Sequence, residues 1–197
     1  MPRTGGTRTR ARIVQAAVEL FAEHGYGATS LDEIATAVGV RKQTLLYYFA
    51  NKPDLFAAAA AEAAQAMYEA LDGALRQNDP GGLDRLPVFI DAASELARTR
   101  PEVLGLIREV ARAGPPVSDR VAKALRPLVD SAVGWFERGI DEGVLRQQNP
   151  RLALLTIYSA VMGYLTESSV QRAILDAPSR RCAADELVGF LHAALAP

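Results

Sequence analysis

The 197-residue sequence is poor in the residues that build metal sites and catalytic centres. It contains one cysteine, Cys182, so no intrachain disulfide can form, which suits a reducing compartment. Its only histidines, His24 and His192, make no metal-ligand spacing with that cysteine. Because the sequence also lacks a Gly-rich phosphate loop and a nucleophile elbow, we predict no metal, no cofactor and no catalytic residues, and therefore no enzyme.

Long apolar runs are missing as well. No stretch approaches the roughly 20 residues that a membrane-spanning helix needs. Arginines near the N-terminus are not followed by the apolar segment of a signal peptide. We therefore expect a cytoplasmic protein with no membrane partner.

The net charge of −1 hides an uneven distribution of charged residues. Residues 1–52 hold seven basic and four acidic side chains, whereas residues 53–197 hold 15 basic and 19 acidic ones. A basic segment on an acidic remainder is typical of a chain whose N-terminal part meets phosphates. Random scatter is the alternative, since the excess is small.

Hydrophobic residues make up 49% of the chain and recur with helical spacing. No stretch alternates with period two, so we predict an all-α protein of about nine helices. Residues 1–9 are polar and basic and are predicted to form a mobile arm. The predicted helices cover approximately residues 10–24, 30–38, 41–49, 53–77, 83–99, 101–113, 118–142, 150–169 and 183–195.

Two of these helices are short and separated by a tight turn. Ser30 followed by Glu33 is a capping box that starts the first, and Gly39 ends it. Leu45 and Phe49 would bury one side of the second helix and leave its other side free for a DNA major groove. This layout predicts a helix-turn-helix, although a purely structural corner has the same pattern.

The same region resembles the TetR family of regulators. The matching stretches are RIVQAA at 12–17, LFAEHGY at 20–26, ATSLDEIA at 28–35, GVRKQTLLYYF at 39–49 and NKPDL at 51–55. The resemblance implies a homodimer with a DNA-binding domain over residues 1–52, which comprises the basic arm and the helix-turn-helix. Residues 53–197 would form a helical ligand-binding and dimerisation body.

Site residues follow from the resemblance position by position. Base-reading positions fall on Lys42, Gln43 and Leu46. Phosphate-contacting positions fall on Thr29, Thr44, Tyr47, Tyr48 and Lys52, and Ser30 and Arg41 complete the predicted DNA-binding set.

Two positions depart from the family pattern. Arg41 stands where the family usually has Ser or Thr, so the second short helix lacks a side-chain cap. Leu46 stands where a tyrosine is common; it can touch a thymine methyl in the groove, or it can pack inward beside Leu45.

Large apolar side chains in the body are candidates for an effector pocket. An alanine-rich stretch, residues 57–66, could leave room for a ligand or let two helices approach closely. Ordinary core packing is the alternative for each candidate. The candidate ligand-binding residues are Met67, Tyr68, Phe89, Trp135, Phe136, Tyr158 and Met162.

The last two predicted helices carry apolar stripes that either pack within the chain or, as the resemblance implies, form a dimer interface. The predicted interface residues are Leu152, Leu155, Ser159, Met162, Leu187, Phe190 and Leu191.

Together these features predict a transcription regulator whose partners are operator DNA, a second copy of the chain and a small-molecule effector. A repressor released by a small, largely apolar ligand is the main hypothesis. A ligand-independent or activating regulator of the same fold and a helical interaction module are the alternatives. An interaction module would leave the polar face around Lys42 and Tyr47 unexplained.

Overall fold

A computed structural model describes residues 4–78, 82–167, 171, 173, 174 and 180–197. Within these residues the chain forms nine α-helices, one 3-10 turn at Gly82–Asp84 and no strand, which confirms the predicted all-α class. The helices are α1 (Thr4–Ala28), α2 (Leu31–Val38), α3 (Lys42–Tyr48), α4 (Lys52–Asn78), α5 (Arg85–Thr99), α6 (Pro101–Arg112), α7 (Val117–Asp141), α8 (Pro150–Thr166) and α9 (Arg180–Leu195).

Two compact units make up the chain. The first comprises Met1–Met67 and Arg100–Pro127, and the second comprises Tyr68–Thr99 and Leu128–Pro197. Helices α4 and α7 each continue from one unit into the other. The predicted division at residue 52 concerns function rather than packing, and it stays a prediction.

The first unit is built around α1, which packs against α2 and most extensively against α6. Ile13 and Phe21 of α1, Ile34 of α2 and Leu45 of α3 are completely buried in it. Gly105 allows α6 to approach α1 closely, because a Cβ atom there would lie 3.1 Å from the Cβ of Ala22. These contacts hold the two short helices against a long one.

The start of α1 differs from the prediction. The helix begins at Thr4 rather than Arg10, so the mobile-arm prediction is wrong for residues 4–9, and residues 1–3 lie outside the described part. Two glycines gave this segment a low helix propensity, but propensity yields to packing. Gly6 lies against the Tyr48 hydroxyl, which would be 3.5 Å from a Cβ at that position.

Gly25 interrupts α1 without ending it. Its φ of +83° lies in the left-handed region, and the helix resumes through Ala28. The predicted stop is therefore a kink. At the other end of the chain, α8 ends at Thr166 rather than at about residue 169, and residues 168–170 lie outside the described part.

The second unit has its own core, to which α5, α7, α8 and α9 contribute. The backbone N–H of Arg146 donates to the carbonyl of Leu195 at 3.0 Å, so the end of α9 is tied to the loop that follows α7. The buried residues of this core are Leu86, Ile90, Phe136, Leu145, Ala153, Leu191 and Leu195.

Candidate nucleic-acid interface

Helix α2 is capped at both ends as the sequence predicts. The Ser30 Oγ accepts from the Glu33 N–H at 3.1 Å, and the Glu33 carboxylate accepts from the Ser30 N–H at 2.7 Å. The backbone hydrogen bond from Ser30 to the carboxylate lowers the pKa of Glu33. Gly39 ends the helix in the left-handed conformation, with φ of +73°. The turn that leads into α3 is therefore defined by local hydrogen bonds.

Arg10 and Arg12 of α1 contact residues on either side of the turn between α2 and α3. The Arg12 guanidinium donates to the Val38 carbonyl at 2.6 Å, which satisfies an acceptor at the end of α2. The Arg10 guanidinium lies 5.0 Å from the centre of the Phe49 ring, in cation–π range. Both side chains thus fix the relative positions of α1, α2 and α3.

Helix α3 is only seven residues long, and its two sides differ sharply. Leu45 is completely buried, and Arg41 makes no side-chain cap, as expected. On the other side Tyr47 is 74% exposed and Leu46 is 38% exposed, so Leu46 points outward instead of packing inside. The remaining exposed members of this face are Arg41, Lys42 and Gln43, and Thr44 and Tyr48 are half-buried.

Lys42 is held by a neighbour on α2. Its Nζ lies 2.7 Å from the Asp32 Oδ2, and both side chains are about half exposed or more, at 49% and 65%. The sequence offered no sign of this pair because ten residues separate its members. The predicted base-reading amine therefore has a fixed anionic neighbour.

Lys52 lies at the first turn of α4 and faces the end of α1. Its Nζ donates to the Gly27 carbonyl at 3.3 Å and lies 4.5 Å from the centre of the Tyr26 ring. Partial burial lowers the pKa of Lys52, and the nearby Glu33 carboxylate opposes this shift. This 3.3 Å hydrogen bond is longer than the usual length of about 2.7–3.2 Å, and a charge-assisted bond to a phosphate would be stronger, so the predicted phosphate role of Lys52 stays a prediction.

Thr29 does not fit its predicted phosphate contact, and that prediction is wrong. The side chain is 1% exposed, and its hydroxyl lies 3.1 Å from the Leu20 carbonyl and 2.9 Å from the Gly25 carbonyl, to which it donates. A hydroxyl has one hydrogen to donate, and here both neighbouring acceptors belong to α1. Thr29 joins α1 to α2 inside the unit.

Contacts from α6 and α7 complete this unit, and no sequence pattern indicated them. The Glu109 carboxylate accepts from the Tyr26 N–H at 2.7 Å, directly after the kink at Gly25. Arg120 lies 3.3 Å from the Asp54 carboxylate at the start of α4. The end of α1 and the start of α4 are thus both held by the segment that follows Arg100.

Residues 13–59, which include α2, α3 and the adjoining parts of α1 and α4, match the family model described as "Bacterial regulatory proteins, tetR family". Over this segment the chain therefore resembles the TetR family of bacterial regulators. Among its relatives is the HTH-type transcriptional regulator RutR of Escherichia coli (strain K12), 27% identical over 169 residues, or 82% of this chain and 79% of RutR. Another is the HTH-type transcriptional repressor SCO4008 of Streptomyces coelicolor, 33% identical over 99 residues, or 50% of this chain and 47% of that one.

The fold extends the similarity beyond the helix-turn-helix. The transcriptional regulator FadR from Bacillus subtilis, solved in complex with stearoyl-CoA, superimposes with a TM-score of 0.74 at 20% sequence identity, over 92% of this chain and 96% of FadR. The matching family and the relatives are transcription regulators rather than enzymes. None of its described helices is long and apolar enough to cross a membrane, and the same residues contain no cluster able to hold a metal ion.

The predicted ligand-binding residues are dispersed in the structure. Phe136 is buried in the core of the second unit and packs edge-to-face with the half-buried Trp135 at 4.8 Å. Tyr68 and Tyr158 are exposed, Phe89 is half-buried, and Met162 is buried. Met67 belongs to the first unit. Two surface cavities of about 440 and 270 Å³ lie in the first unit, and none of the seven candidates lines either one.

The predicted dimer residues differ in exposure. Leu152, Leu155 and Phe190 are 61%, 57% and 65% exposed. Ser159 is exposed and Leu187 is half-buried. Leu191 and Met162 are buried within the chain, at 1% and 9% exposure, so neither is available to a partner. Their place in the apolar stripes reflects intrachain packing.

The Thr29 hydrogen bonds generate a prediction about stability. Thr29→Val keeps the shape of the side chain but leaves carbonyls of α1 without their hydroxyl partner. We expect the free energy of unfolding to fall by about 1–3 kcal/mol in urea titrations followed by circular dichroism. Thr29→Ser, which retains the hydroxyl, should lose less. If folded Thr29→Val protein bound random-sequence DNA several-fold more weakly than wild type, Thr29 would contact a phosphate after all. The purely structural role given to it here would then be wrong.

Proposed function

We propose that the chain is a homodimeric repressor that acts in the cytoplasm, binds an operator through the outer face of α3 and leaves it when a small, largely apolar ligand binds the body. One observation carries the DNA-binding part of this proposal. Helix α3 buries Leu45 completely while Tyr47 and Leu46 remain exposed beside Lys42 and Gln43. A short helix held rigidly with a polar and aromatic outer face is suited to a major groove.

Within that face the side chains favour two different roles. Lys42 and Gln43 can hydrogen-bond to base edges, and Leu46 can contact a thymine methyl group. Tyr47, Tyr48, Thr44 and Lys52 would contact phosphates, which set position and carry no sequence. The first role gives specificity and the second gives salt-dependent affinity.

Dimerisation through α8 and α9 is supported by exposed apolar side chains on both helices. Leu152 and Leu155 stand out from α8, and Phe190 stands out from α9. If these side chains form one contiguous apolar patch, such a patch marks an interaction surface. A two-fold dimer would present two copies of α3 to an inverted repeat, with half-sites at least one helical turn apart, roughly 34–36 Å.

Release from the operator by a ligand requires two states of the dimer that differ in DNA affinity. A ligand shifts their balance only by its differential affinity for the two states. The repressor SCO4008 and the stearoyl-CoA complex of FadR support a repressor that responds to an apolar molecule. Helix α4 would transmit the change, since it starts beside the helix-turn-helix and continues into the second unit.

Two contacts in the first unit could pass a conformational change to the helix-turn-helix. Glu109 of α6 holds the kinked end of α1 through the Tyr26 N–H, and Arg120 of α7 pairs with Asp54 at the start of α4. Any shift of α6 or of the start of α7 would therefore act on both ends of the helix-turn-helix region.

The two roles on α3 predict separable effects on binding. Gln43→Ala should relax base preference at one operator position, at a cost of about 1–3 kcal/mol if the contact is bidentate. Tyr47→Phe should weaken binding to all sequences alike, because it removes a phosphate contact. Binding of both variants to a panel of single-base operator changes measures the difference. Identical profiles for Gln43→Ala and Tyr47→Phe would contradict the assignment.

The exposed apolar residues of α8 and α9 predict a dimer that charge can disrupt. Leu155→Arg combined with Phe190→Arg should give monomers at micromolar concentration in sedimentation velocity, because each protomer would bury two arginines without partners in the interface. Val144→Arg, at another exposed apolar position, is the matched control and should remain dimeric. A wild-type monomer, or a double variant that still dimerises, would disprove this interface.

The proposed switch predicts reciprocal coupling between ligand and operator. We expect a thermal-shift screen of fatty acids and other hydrophobic compounds to yield a binder that weakens operator affinity by roughly 5- to 150-fold. Operator DNA must then weaken ligand affinity by the same factor, which calorimetric titration with and without operator measures. A binder with equal affinity in both titrations, or the absence of any binder, would argue for a regulator that does not use an apolar ligand.

A further inference from the structure

We propose that Asp32 is a specificity-determining residue, which holds the Lys42 ammonium for base contacts and keeps it from acting as a general phosphate anchor. The inference rests on the proposed role of Lys42 in the groove. It assigns a function to an acidic side chain placed beside a DNA-binding face.

The geometry of the pair is direct. Lys42 is the first residue of α3, and Asp32 lies in the first turn of α2, so the pair bridges the two helices of the motif. The Lys42 Nζ and the Asp32 Oδ2 are 2.7 Å apart, a short charge-assisted hydrogen bond. Asp32 uses its backbone carbonyl separately, to accept from the Thr36 hydroxyl at 2.8 Å.

Stability does not account for this arrangement. The side chains are 49% and 65% exposed, and exposed pairs of this kind contribute about 0–1 kcal/mol. The fold of α2 and α3 rests instead on buried Ile34 and Leu45 and on the capping box of Ser30. Removing the carboxylate should therefore leave the structure intact and change what Lys42 does.

Electrostatics indicates the direction of that change. A phosphate carries a full negative charge, so a carboxylate bound to Lys42 repels it and competes for the ammonium. Guanine presents neutral acceptors, N7 and O6, which the same carboxylate repels far less. Asp32 therefore weakens phosphate contacts of Lys42 more than its base contacts. The preference for the operator over other DNA rises, while the affinity for DNA of any sequence falls.

A simpler role for Asp32 is interaction with the positive end of the α2 macrodipole. That role would act on stability and would not depend on Lys42. The two accounts therefore differ in whether the effect of Asp32 on DNA binding disappears when Lys42 is replaced.

The test is a double-mutant cycle on the full-length protein. Affinities of wild type, Asp32→Asn, Lys42→Gln and the double variant are measured by fluorescence anisotropy between 0.05 and 0.3 M salt. The probes are a random-sequence duplex and an operator selected in vitro from random duplexes.

We expect Asp32→Asn to bind the random duplex roughly five- to tenfold more tightly at about 0.1 M salt, with a salt slope steeper by about 0.9 for one added phosphate contact. The operator preference should fall by a similar factor. In the Lys42→Gln background, Asp32→Asn should raise affinity for the random duplex only as much as Glu19→Gln does. Glu19→Gln is the control, because it removes one exposed acid from α1.

Three results would overturn the inference: an Asp32→Asn effect equal to that of Glu19→Gln, an effect that persists without Lys42, or an unchanged operator preference. Asp32→Ser provides a second variant if the amide alters the start of α2, and thermal melts confirm folding. A wild-type protein with no preference for any selected operator would instead contradict the proposed function, so the two failures are distinguishable.

Discussion

Burial of one side of α3 is the constraint on which the rest of the molecule depends. Seven residues are too few for a helix to be stable alone in water, so α3 depends on its packing against α2 and on the complete burial of Leu45. The same burial forces Tyr47 and Leu46 to the outside. The buried side of this short helix thus serves stability, and its exposed side is the one proposed to contact DNA.

The recognition motif is not a self-contained unit in packing terms. Its helices share a compact unit with residues 100–127, and Glu109 and Arg120 of that segment hold the ends of α1 and α4. A hydrogen bond from a backbone N–H to a carboxylate is both strong and directional. Motion of α6 or of the start of α7 would therefore reach the proposed DNA-binding surface through these two contacts.

Local features of this structure were predictable and distant ones were not. The Ser30–Glu33 capping box and the Gly39 turn depend on residues close in sequence, so their patterns were sufficient. Thr29 and Leu191 were assigned to surfaces, yet both are buried. Thr29 bonds back to the preceding helix α1, whereas Leu191 packs in a core with residues far along the chain such as Ile90 and Phe136. The Lys42–Asp32 pair joins residues ten positions apart, which no local pattern could show.

Interference mapping with 7-deazapurines tests the central claim most directly, because the substitution removes the N7 acceptor from the major groove and leaves phosphates and the minor groove unchanged. On an operator selected in vitro, the account predicts loss of binding at a few purines, arranged symmetrically in two half-sites at least one helical turn apart. Uniform tolerance of 7-deazapurines across a site that still binds tightly would show that α3 does not read the major groove.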